Sequence, residues 1–152
     1  MSSKRLDCLI CGRDVKAEDN AIIIELKQWQ NCEEADSERE VITWVGGAKR
    51  EILHPSVQVG QYERYLKDVH TGFYGDNAIE LLGVSYLHNY SFSEEDPLIA
   101  HKFEEINIRN PLYSADDVDS LAGLLEEKLS EGEGETVLAR IENSQYRPSK
   151  KL

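Results

Sequence analysis

Ala21-Ile-Ile-Ile-Glu-Leu-Lys-Gln-Trp29 is the stretch on which the reading of this chain turns. Three isoleucines in succession and a closing tryptophan mark it as a β-strand. Alternation places Ile22, Ile24 and Leu26 on one side and Ile23, Glu25, Lys27 and Trp29 on the other. Both sides carry apolar groups, so the strand is expected to be central in a sheet covered on both faces. There Glu25 and Lys27 are costly unless paired, hydrated or bound to a metal. A structural Glu25–Lys27 ion pair is the simplest account of them.

The preceding segment complicates that account. Leu6–Cys11 also reads as a strand, closed by Gly12 and a polar turn region from Arg13 to Asn20. It too carries an acid, Asp7, in a run that otherwise favours burial. Two antiparallel strands joined by that turn bring Asp7 beside Glu25. Carboxylates held close together raise each other's pKa unless a divalent cation sits between them. Hard oxygen donors with an open coordination sphere suit Mg²⁺ or Mn²⁺. A lysine on the face of the glutamate can then orient or deprotonate water, or stabilise the charge of a phosphorane, and metal plus lysine suffices for phosphodiester hydrolysis.

Further along, Glu40–Val45 reads as a short strand ending at Gly46-Gly47, after an acidic loop over Asn31–Arg39. Pro55 is suited to the first turn of a helix running to about His70. Leu81–Tyr90 reads as a buried strand. Helices are expected over Pro97–Ile106, from a Ser114 cap to Leu129, and over Glu135–Ser144. The order β-β-(β)-α-β followed by helices predicts an α/β fold, a mixed sheet flanked by helices. Residues 1–145 form one domain on this reading, and 146–152 a basic tail or cut linker.

The 152-residue chain is 40% hydrophobic, enough for one core, and no apolar run suits a membrane helix or a signal peptide, so a cytoplasmic protein is expected. Its net charge of −12 argues against a large phosphate-binding surface. The charge is uneven: Asp116–Glu135 holds eight acids and one base, whereas Thr43–Tyr74 holds four bases and three acids. Cys8 and Cys11 form a CxxC, but strand positions i and i+3 face opposite ways, so both are expected to be packed, reduced thiols.

Asp7, followed after seventeen residues by Glu25-Leu-Lys27 on an isoleucine-rich strand, resembles the D…(D/E)xK signature of the PD-(D/E)XK nucleases. His54-Pro-Ser-Val-Gln58-Val-Gly-Gln-Tyr62 contains a QxxxY similar to the extra motif of RecB-like nucleases; Gln61 with Tyr65 spells a frame-shifted version. Ser3-Lys-Arg-Leu-Asp7, Val45-Gly-Gly-Ala-Lys-Arg50, Tyr86-Leu-His-Asn-Tyr90 and Tyr146-Arg-Pro-Ser-Lys-Lys151 extend the likeness to the N-terminal nuclease region of bacterial nuclease–helicase proteins, in which a Schlafen-type P-loop ATPase module follows. The resemblance implies a restriction-endonuclease-like fold, here lacking its first helix and strand, with the Asp7 strand at an exposed edge. It implies Mg²⁺ or Mn²⁺ held by Asp7, Glu25 and the Leu26 backbone carbonyl, and a catalytic set of Asp7, Glu25, Lys27, Gln58 and Tyr62. The implied partners are nucleic acid, DNA first, and a helicase or ATPase module normally fused downstream. No GxxxxGK[ST] is present to supply that module here.

Lys49, Arg50 and Arg64 are candidates to grip the nucleic-acid backbone, with solvated surface as the alternative. His54 reads as a loop histidine without a catalytic role, His88 as a hydrogen-bonded core residue, and Tyr65 as an aromatic packed on the sheet. Leu121, Leu124, Leu125 and Leu129 form the inward face of the acidic helix. The leading expectation is a metal-dependent nuclease core cut from a larger nuclease–helicase. The alternative is an inactive nucleic-acid-binding or protein-interaction module built on the same fold.

Overall fold

A computed structural model describes residues 5–144; the expected basic tail at 146–152 lies outside them. Four strands make the main sheet in the order β1 (Cys8–Arg13), β2 (Asp19–Lys27), β6 (Glu80–Leu87) and β7 (Leu112–Ser114). β1 runs antiparallel to β2, whereas β2–β6 and β6–β7 are parallel, so the sheet is mixed. A separate antiparallel sheet holds β3 (Glu33–Glu34), β4 (Glu40–Val45) and β5 (Ala48–Leu53). The helices are α1 (Pro55–Val69), α2 (Glu104–Arg109), α3 (Val118–Leu129) and α4 (Gly134–Glu142).

β2 is central and covered on both faces, as its two-sided apolar pattern requires. Ala21 and Ile23 pack with Leu81 of β6, Val59 of α1, and Val137 and Ile141 of α4. Ile22 and Ile24 pack on the opposite side with Val84 and Leu121, and with Leu124, Leu125 and Leu129 of α3. Each fully buried isoleucine contributes about 1.5–3 kcal/mol of burial free energy, which makes β2 the anchor of the fold. The CxxC divides across the sheet as alternation demands: Cys8 joins the α3 side and Cys11 the α1 side, both as free thiols.

α1 is the crossover that lets β2 and β6 lie parallel. It settles close to β6 because position 83 is glycine: a Cβ there would stand 2.9 Å from Val59 Cγ2 and 3.2 Å from the Val59 carbonyl oxygen. Its start is fixed by His54, whose Nδ1 accepts the Ser56 N–H while Nε2 bonds the Leu98 carbonyl. The histidine is wholly buried and stacks on Phe103. It is therefore a helix cap inside the core, not the loop residue expected.

Other expectations also require correction. Ala48–Leu53, with three successive charged residues, carries no alternating pattern, yet it forms β5. The cause is the Gly46-Gly47 turn, whose φ values of +61° and +82° give the two-residue hairpin geometry that brings residues 48–53 back along β4. β7, only three residues long, is too short to show a pattern in the sequence. The strand expected over Leu6–Cys11 begins two residues later, at Cys8, and continues through Gly12 to Arg13. His88 falls just beyond β6 and is exposed, not buried. Tyr65 is 41% exposed and so does not pack as a core aromatic. The segment expected to be helical over Pro97–Ile106 begins as two 3₁₀ turns, and α2 starts only at Glu104.

Candidate active site

The C-terminal end of β2 extends past its neighbour. β1 pairs with β2 only as far as Cys8 opposite Ile24; beyond that point Asp7 Oδ2 accepts the Leu26 backbone N–H at 2.9 Å. Asp7 is thus an exposed residue just ahead of the strand, not a buried member of it. A strand residue directs its N–H and C=O to the same edge. The Leu26 carbonyl therefore points to the side on which Asp7 stands, past the end of β1. The Leu26 side chain is 46% exposed.

Glu25 sits one residue back and faces α1. It is 4% exposed, and its Oε2 has no hydrogen-bond partner among the described residues. Burial raises its carboxyl above the ordinary 4.5; the Asp7 carboxylate pushes the same way, and Lys27 pulls against both. Lys27 Nζ lies 3.4 Å from Glu25 Oε1. It donates to Gln58 Oε1 at 2.7 Å and stands 5.3 Å from the centre of the Trp29 ring. The ion pair expected on simple grounds is therefore present, but it uses only one oxygen of the glutamate.

α1 supplies the other wall. Gln58 and Tyr62 are one turn apart on a shared face. Gln58 fixes the lysine, and Tyr62 Oη accepts the Arg5 N–H at 3.0 Å, tying down the chain two residues before Asp7. Asp7, Glu25, Leu26, Lys27, Gln58 and Tyr62 thus gather around one end of the sheet. Of the two spellings of the motif, the one with Gln58 supplies the residue that bonds Lys27, and Gln61 lines a separate cleft.

The expected backbone-gripping residues are dispersed. Lys49 and Arg50 lie on β5 in the smaller sheet, where Lys49 pairs with Glu33 at 3.0 Å and Arg50 Nε donates to the Val45 carbonyl. Arg64 lies on the exposed side of α1. Ser85 is a member of the site that sequence reasoning misses. It is the register partner of Glu25 across β2–β6, wholly buried, with an Oγ lacking a hydrogen-bond partner among the described residues. One serine in an apolar strand carries no signal until the register is known.

Asp7 and Glu25 together fit a divalent cation in one specific respect: Glu25 Oε2 is buried and accepts no hydrogen bond among the described residues, while the Lys27 ammonium pairs only with Oε1. Among those residues no group of three or more His, Cys, Asp or Glu side chains could hold a metal ion, so the protein's donors here are two carboxylates and main chain. A cavity of about 770 Å³ lies at the opposite end of β2, roughly 26 Å away at the rise of a strand. There the Asp19 carboxylate is already matched by Arg13 at 2.7 Å and Arg140 at 2.6 Å. No protein-family model, no curated protein and no solved structure matches the chain. No helix among the described residues is long and apolar enough to cross a membrane.

Proposed function

We propose that this chain is a nuclease core of the PD-(D/E)XK type, with a restriction-endonuclease-like fold, that hydrolyses DNA phosphodiester bonds with Mg²⁺ or Mn²⁺. The observation that carries the reading is the unsatisfied Glu25 Oε2, buried beside Asp7 and next to a lysine locked by Gln58. A structural ion pair alone does not require a second acid, a free carboxylate oxygen, or a glutamine that holds the ammonium away from full pairing.

In this reading Asp7, Glu25 and the Leu26 carbonyl would hold the cation, which when bound would supply Lewis-acid polarisation of the scissile phosphate. Lys27, its ammonium pre-positioned by Glu25 and Gln58, would meet the charge developing on the phosphorane without reorganising. Gln58 sets the lysine rotamer. Tyr62 holds the Arg5–Asp7 segment, and through it the Asp7 carboxylate. A helicase or ATPase module is the partner that the family resemblance adds.

Lys27→Ala separates chemistry from metal binding. Lysine is no ligand for a hard cation, so Mg²⁺ affinity is retained while cleavage of labelled DNA falls about 10²–10³-fold, the scale of losing one preorganised electrostatic group. Undiminished cleavage by the folded variant would remove the residue from the mechanism. A second reading, a DNA-binding module without turnover, is favoured by the limit of two acidic side chains at the site. It predicts DNA binding with no cleavage by the unmodified chain in Mg²⁺ or Mn²⁺.

A further inference from the structure

Three arginines from three separate segments converge on a cleft of about 210 Å³ beside α1: Arg39 before β4, Arg64 on α1 and Arg109 at the end of α2. All three are exposed, and none of their guanidiniums has an ion pair or hydrogen bond among the described residues. Elsewhere in this acidic chain the bases are largely occupied: Arg13 and Arg140 by Asp19, Lys49 by Glu33, Lys67 by Glu63. Glu38 and Glu105 also line the cleft, and Lys102 adds a fourth base, leaving an excess of two positive charges in a chain of net charge −12.

The backbones that carry these arginines are fixed by buried bonds. The Arg39 carbonyl accepts the His54 N–H at 2.9 Å, at the cap of α1. Lys102 Nζ donates to the carbonyls of Ala35 and Ser37 at 2.7 and 2.9 Å, holding the loop that presents Arg39. Arg64 and Arg109 directly adjoin Glu63 and Asn110, which are joined at 2.6 Å, with Asn110 also bonded to the Gly83 carbonyl beneath α1. Like charges are thus held together by the fold, at a cost in mutual repulsion that an anion would relieve.

α1 carries residues of both the cleft and the candidate active site. Gln58, Gln61 and Arg64 are spaced i, i+3, i+6, an oblique row that winds about a third of the way round α1, with successive members about 5–6 Å apart at Cβ. Gln58 holds Lys27, and Gln61 lines the cleft. We infer that Arg39, Arg64 and Arg109 form a phosphate-binding cleft that grips the DNA backbone next to the scissile bond. The inference rests on the proposed nuclease reading for the identity of the polyanion, and it explains how an acidic protein presents a local cationic surface to its substrate.

The test is anisotropy of a fluorescein-labelled single-stranded DNA of about 20 nucleotides in EDTA, over a salt series, so that neither metal nor cleavage enters. Arg64→Gln/Arg109→Gln is compared with Lys16→Gln/Lys128→Gln, which changes net charge equally away from the cleft. The cleft pair should weaken binding about tenfold or more and lower the salt slope by about 1.4, at about 0.7 for each phosphate of a single strand that is no longer neutralised; the control pair should change neither beyond about twofold. Equal losses in both pairs, or no loss in the cleft pair, would overturn the inference. If the cleft pair behaves as expected but the unmodified protein binds no Mg²⁺, the cleft stands and the nuclease reading falls. If Mg²⁺ binds through Glu25 while DNA affinity ignores the arginines, the cleft alone is rejected.

Discussion

Glu25 carries both a cost to the fold and the proposed function. Its carboxyl is raised by burial, so at neutral pH the folded state holds a charge that it disfavours relative to the unfolded chain. For an acid with a raised folded pKa, the folded state takes up its proton first as pH falls, and stability attributable to that group grows until the unfolded carboxyl also protonates near its ordinary 4.5. Glu25→Gln is accordingly expected to raise Tm at pH 7 in metal-free buffer, by about 2–4 °C for a gain of roughly 1 kcal/mol in a domain of this size, with the advantage shrinking toward pH 4.5. Calorimetric scans at several pH values measure this. A drop in Tm at pH 7 would mean that the Lys27 pair more than offsets burial. Much at this scale is legible in the sequence: an acid and a base two residues apart in an isoleucine-rich strand declare themselves by their cost. Ser85 and the free state of one Glu25 oxygen are not, because they depend on the β2–β6 register and on where a lysine side chain is held.

α1 shows what an element contributes beyond its own residues. It spans the sheet, places Gln58 on Lys27 and Tyr62 on the Asp7 segment, and starts from a histidine that the core requires to be neutral. Burial lowers the His54 pKa to about 4, with the Leu98 carbonyl opposing. Since the unfolded histidine titrates near 6.5, its contribution to stability is complete above pH 6.5 and is lost as pH falls from there to about 4, a loss of about 3 kcal/mol. His54→Asn retains a capping side chain without the titration, so urea denaturation should show a flatter pH dependence between 6.5 and 4 than the parent. An identical slope in the two proteins would assign the acid sensitivity elsewhere. Gly83→Ala tests how closely α1 must lie: its Cβ would press on Val59, and overpacking of this kind costs about 1–3 kcal/mol, read as a lower urea midpoint. The helix itself is readable from Pro55 and from the spacing of Gln58 and Tyr62. The buried role of His54 is not, since a residue before proline looks the same whether Leu98 and Phe103 cover it or water does. β5 is equally obscure, its charged sequence being carried by a glycine turn instead of by a pattern of its own.

At the scale of the whole molecule, a mixed sheet faced by helices follows from the alternation of strand and helix patterns, and the two-sided burial of β2 follows from its uninterrupted isoleucines. What the fold adds is convergence: β1 stops at Cys8, β2 continues to Lys27, and α1 closes over the gap. The acidic α3 lies across the sheet from Glu25 and leaves its leucines inward, so its own carboxylates do not crowd Glu25. The central claim is that the two carboxylates gathered there form a cation site. Isothermal titration of Mg²⁺, repeated with Mn²⁺, into the metal-free protein and into Asp7→Ala and Glu25→Gln tests it most directly. The account predicts one site in the unmodified protein, loss of binding in both variants, and preserved folding by circular dichroism. Binding of unchanged affinity in both variants, or no binding by the unmodified protein at millimolar metal, would contradict it.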